Sequence, residues 1–111
     1  MTIPAPAAVS TFEVVDAGRS RVLGLLSFVT VAHLLPLGTA AIAAGQASTI
    51  DLAGVTGGDS AGLALLIEWL SIAGEAKQHL RYENMPAQLH QLALLSEVEE
   101  LVSGADETAA A

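Results

Sequence analysis

Cysteine is absent from the 111 residues. That excludes a disulfide scaffold, thiolate metal sites and cysteine nucleophiles together, and it fits a reducing compartment. Positive charge is almost as scarce. Arg19, Arg21, Lys77 and Arg81 stand against 12 Asp and Glu residues, a formal net charge of -8. Nucleic acid and anionic membrane surfaces reward patches of Lys and Arg, so neither is expected as a direct partner. An acidic domain of this size more often meets a basic protein surface. The histidines are His33, His79 and His90. No two of them share a helical i, i+4 spacing, so no metal site is expected. A phosphate loop is missing too, because Gly57-Gly58 lacks the GxxxxGK[ST] pattern and any nearby lysine. No cofactor is implied. Met1 to Ser10 lacks the positive start of a secretion signal and carries Pro4 and Pro6.

What the chain has in quantity is apolar side chain, 52% of its residues. That excludes disorder for its body and suffices for one domain around one core. The expected division is a loose arm over 1–9, a domain over 10–103 and a tail over 104–111. Val22 to Ala44 holds no formally charged residue and is long enough to span a bilayer. Ser27, Thr30, His33, Pro36, Gly38 and Thr39 interrupt it, however. A buried strand followed by an Ala-rich helix accounts for the run, and direct membrane insertion is not expected.

Thr11 to Val15 reads as a first strand, with a turn at Asp16–Arg19 in which Gly18 is free to take a positive φ. Arg21 to Phe28 reads as a second, more buried strand, so the pair makes a hairpin. Thr30 to His33 lead into a helix with Pro36 near its first turn, where a missing N–H costs nothing, and with Gly45 placed to end it. Gln78 to Glu83 alternates, Leu80 and Tyr82 against His79, Arg81 and Glu83, as a half-exposed strand near an edge does. Asn84 and Pro86 start a third helix with Leu89, Leu92, Ala93 and Leu95 along one stripe. Glu97 to Val102 suggests a short last helix. The order β-β-α-β-α-β-α predicts an α/β domain: a mixed sheet of about four strands with helices mainly on one face.

The most informative stretch is Thr49 to Ala73. Thr49 to Leu52 suits a half-buried strand, and Gly54, Thr56, Gly57 and Gly58 read as a loop. Asp59 and Ser60 stand where a helix N-cap belongs. Leu63, Leu66, Ile67 and Leu70 follow at helical spacing, and Gly74 or Ala76 ends the helix. A serine hydroxyl is therefore presented at the tip of a strand–loop–helix unit, beside the positive end of a helix dipole.

That arrangement, with Asp59-Ser60-Ala61-Gly62-Leu63 leading into a Leu-rich helix, resembles the STAS domain family. The family includes anti-sigma factor antagonists and cytoplasmic extensions of sulfate transporters. The longer run to Ala64-Leu65-Leu66 is more similar to the MlaB-like small subunits of the Mla phospholipid-transport ABC complex. The resemblance implies a STAS fold and a non-enzymatic, cytoplasmic subunit. It would bind the ABC-transporter ATPase and, through it, the inner-membrane permease. In the antagonist branch the matching serine is the phosphorylated switch, which would make Ser60 the substrate of an anti-sigma kinase.

The expected contact surface is Gly58, Asp59, Ser60, Leu65, Trp69 and His33. Each also has a plainer reading. Asp59 and Ser60 can be helix caps and nothing more. Trp69, four residues after Leu65, either packs under the neighbouring helix or joins Leu65 in an exposed patch of the kind that anchors partners. His33 lies where the second strand gives way to a helix, a loop that this fold brings towards Ser60. A hydrolase using Ser60 needs a base and an orienting group, and nothing specific supplies them.

Overall fold

The computed structural model describes residues 10–98 and residue 102. The proposed arm over 1–9, the tail over 104–111 and most of the suggested last helix lie outside them. Over residues 10–98, four strands and three helices follow in the order β1 (Thr11–Asp16), β2 (Arg19–Leu26), α1 (Val31–Ala43), β3 (Thr49–Gly58), α2 (Ser60–Glu75), β4 (Arg81–Glu83) and α3 (Ala87–Leu95). The strands form one sheet in the order β1-β2-β3-β4. β1 and β2 pair antiparallel through a two-residue turn in which Gly18 takes φ 76°. β2 with β3, and β3 with β4, pair parallel. This is the mixed α/β sheet that the element order predicts.

Alternation along the strands sorts charge from apolar bulk. Ser20, Val22, Ile50, Leu52 and Tyr82 are buried towards the helices. The residues between them build an ionic cluster on the other face of the sheet. Arg19 bridges to Glu83 at 2.6 Å and to Asp51 at 3.6 Å, Arg81 reaches Glu83 at 3.0 Å, and Arg21 reaches Glu13 at 2.7 Å. The helices cover the buried face side by side, α2 between α1 and α3. Leu26, Leu34, Ile42, Leu66, Trp69 and Leu89 fill the space between layers.

Several boundaries differ from expectation, each for a local reason. β2 runs two residues earlier than expected, because the hairpin closes at Asp16↔Arg19. Beyond Leu26 the chain turns: Thr30 N–H donates to the Ser27 carbonyl at 2.9 Å, and Thr30 Oγ1 donates to the Leu25 carbonyl at 2.8 Å. The helix therefore starts at Val31, which places Pro36 at its sixth position and not in the first turn. The glycine-rich stretch after Leu52 is strand, since Gly54, Val55, Gly57 and Gly58 pair with β2 across two register shifts. α2 runs through Gly74, and Lys77 takes the left-handed conformation at φ 56° to end it. There Gln78 N–H donates to the Ala73 carbonyl and Lys77 N–H to that of Gly74, the paired hydrogen bonds of a Schellman cap. β4 shrinks to three residues on an edge. Leu95, expected on the buried stripe of α3, is 82% exposed.

Candidate functional site

The carboxyl ends of the parallel strands converge where α2 begins. The close fit there is written in glycine. A Cβ on Gly62 would run into the Leu26 carbonyl, and one on Gly58 would lie 2.7 Å from that same oxygen. With both side chains absent, the start of α2 rests directly on the end of β2, and Asp59 N–H donates to the Leu26 carbonyl at 3.1 Å.

Asp59 is the N-cap. Its Oδ1 accepts from the N–H groups of Ala61 at 2.9 Å and Gly62 at 3.2 Å, while Oδ2 accepts from Phe28 N–H at 3.2 Å. One carboxylate thus caps the helix and ties the β2–α1 turn to it. These donors, Phe28 N–H foremost, hold its carboxyl below the usual carboxylate range against a smaller opposing effect of burial. Ser60 is not a second cap. It is the first residue of α2, it is exposed, and its hydroxyl makes no hydrogen bond among the described residues.

Two hollows flank this serine. One, between α2 and α3, is lined by Gly58, Asp59, Ser60, Gln88, Gln91, Leu92 and Leu95 and has a volume of about 310 Å³. Gln88 Oε1 closes it from behind by accepting from Gly58 N–H at 3.2 Å. The other is an apolar groove of about 340 Å³ between α1 and α2. The turn beside Asp59 throws Phe28 and Val29 outward, 78% and 70% exposed, and Leu95 stands clear on the opposite flank. Sequence reasoning missed Phe28 and Val29: it counted Phe28 as the end of the second strand and gave Val29 no role. Ser27 and Thr30, both turn formers, held the available signal.

The remaining expected residues divide. Gly58, Asp59 and Ser60 are together. Trp69 belongs to the core and not to an exposed patch. It is fully buried, its ring fills the space that a side chain at Gly38 would need, it meets Phe12 edge-on at 5.6 Å, and its Nε1–H donates to the Leu35 carbonyl at 3.3 Å. A helix flanked on both sides needs apolar residues over a wider arc than one stripe, and Trp69 faces α1 on that arc. Leu65, 4% exposed, is likewise packed, at the floor of the groove. His33 is exposed on the first turn of α1, lines neither hollow and makes no hydrogen bond to Ser60, because the turn that nears Asp59 is Ser27–Thr30, a few residues earlier. The site therefore presents a hydroxyl and apolar side chains. No described side chain is bonded to that hydroxyl as a base.

Among solved structures, the anti-sigma factor antagonist SpoIIAA in its unphosphorylated form superposes with a TM-score of 0.65 at 15% identity, over 91% of this chain and 96% of that one. The Bacillus cell fate determinant SpoIIAA in its phosphorylated form gives 0.62 at 16% identity, over 85% and 88%. At such identity these likenesses show a shared fold. No curated protein matches at the sequence level. The sequence profile of the family described as Mlab, STAS domain, matches residues 12–103. With that match spanning most of the chain, and with the fold it shares with SpoIIAA, the protein belongs to the Mlab-type STAS domain family.

Proposed function

We propose that this chain is a non-enzymatic accessory subunit of an ABC transporter that moves phospholipid between two membranes and so maintains outer-membrane lipid asymmetry. It docks on the transporter's cytoplasmic ATPase through the Ser60 end of the sheet and thereby sits at the inner membrane. The observation that carries this reading is the Mlab family match laid over a site that presents a helix end ringed by Phe28, Val29 and Leu95. Such a surface acts by binding one conformation of the partner better than another, without chemistry of its own. Co-expression with the ATPase subunit of the cognate transporter tests it. The two co-purify, ATP turnover depends on the small subunit, and Ser60→Asp breaks both effects. An unchanged association in Ser60→Asp excludes this surface.

A second reading has its own support. The similar structures are of an anti-sigma factor antagonist, one of them phosphorylated, and Ser60 is exposed and unbonded as a kinase substrate must be. On that reading Ser60 is a switch: a phosphate adds about -1.5 to -2 charges, which the helix N-terminus accepts and an apolar or acidic partner does not. Incubation with the cognate anti-sigma kinase, followed by mass measurement, decides it. A chain that never gains a phosphate on Ser60 excludes the switch.

A further inference from the structure

The groove between α1 and α2 adjoins the Ser60 surface at Ala61, but Ser60 does not line it. Its walls are Val31, Ala32 and Leu35 on one side and Ala61, Ala64 and Glu68 on the other, with Leu65 beneath. Ala32 and Ala64 are exposed, and their small side chains leave a channel along the seam of two helices. A third helix can lay a ridge of side chains into such a channel.

Two features say what that helix should carry. Glu68 is the one charged residue of the lining, is exposed, and has no ion pair or hydrogen bond among the described residues. The groove therefore offers its occupant the Glu68 carboxylate and no charged donor. The whole helix layer repeats this sign: α1, α2 and α3 contain Glu68 and Glu75 and no Lys or Arg. All three arginines stand on the other face of the sheet, paired to carboxylates.

We propose that the α1–α2 groove receives an amphipathic helix of a partner protein, apolar along the groove and carrying a Lys or Arg that meets Glu68. The assignment holds whether the partner at the Ser60 end is an ATPase or a kinase.

The test uses the whole isotope-labelled chain and a synthetic amphipathic helix of about 18 residues, long enough to hold its conformation. The helix has one apolar stripe, neutral polar residues elsewhere and a single Lys beside the stripe; its twin has Glu at that position. The Lys helix shifts the amide resonances of Ala32, Leu35, Ala64 and Glu68 saturably. It binds about fivefold tighter than its twin, as a partly exposed ion pair allows, and Glu68→Lys inverts the preference. Equal binding of the two helices, shifts gathered elsewhere, or no saturation at millimolar peptide overturns the proposal. So do the same shifts produced by dilution of the chain alone, which would place a second copy in the groove, or by a monomeric lysophospholipid, which would place an acyl chain there. None of these outcomes bears on co-purification with the ATPase, so the two readings fail separately.

Discussion

Asp59 joins three backbone N–H groups from two segments of chain, and its charge state therefore matters more than its exposure suggests. Its carboxyl is held below the ordinary value, so its contribution is complete above the unfolded carboxylate value of about 3.9 and is lost as pH falls through the lower folded-state value. Asp59→Ala should cost about 1 kcal/mol in urea unfolding at neutral pH, as a lost N-cap does. The gap to wild type should close on acidification. Asp59→Asn should keep most of the cap and show the weaker pH dependence. Ser60→Asp should behave in the opposite sense, since a carboxylate in the first turn of a helix is favourable by about 0.5 kcal/mol. It should leave the chain as stable as wild type or slightly more so, which makes it a clean reporter of binding. Gly38→Ala places a methyl group in the Trp69 indole and should destabilise by about 1–3 kcal/mol, read from the urea midpoint.

At the scale of elements, α2 is seated by the absence of side chains. Gly62→Ala pushes a methyl group against the Leu26 backbone, which cannot rotate away, so the helix start must lift from β2. Far-UV and near-UV circular dichroism of that variant should show retained helix with weakened tertiary signal and a lowered midpoint. The order of elements was legible because hydrophobic period and turn residues agree with each other over most of the chain. The alternation of Leu80 and Tyr82 fixes β4, and Asp59 ahead of a Leu-rich segment fixes α2. The glycine stretch of β3 was not legible as strand. Glycine has low strand propensity, and only the parallel pairing with β2 and the proximity of α2 explain its presence. Pro36 misled for a similar reason. Position within a helix depends on where the helix starts, and Thr30 fixes that through bonds to Leu25 and Ser27 that periodicity does not show. The core placement of Trp69 required knowing that α1 presents Gly38 opposite it.

The whole molecule is divided by sign and by polarity. One face of the sheet carries the arginines with their carboxylate partners; the other is covered by helices without Lys or Arg. At the carboxyl end of the sheet stand Ser60 and the exposed Phe28, Val29 and Leu95. Gly58, Asp59 and Ser60 could be placed there from sequence, since the start of a helix after a strand is a local feature. The apolar ring could not, because it is assembled from a turn and from α3, far apart in the chain. Among the described residues, no helix is long and apolar enough to cross a membrane, so the charge-poor run from Val22 to Ala44 is divided between β2, its turn and α1. We propose that this end of the molecule docks on the transporter ATPase. The most direct test is a calorimetric titration of the ATPase subunit with wild type, Phe28→Asp and Ser60→Asp. Both variants should fold with midpoints no lower than wild type within error, because both positions are exposed, and both should bind at least tenfold more weakly, as substitutions at an interface anchor do. Wild-type affinity in both variants would exclude this end of the molecule as the docking surface.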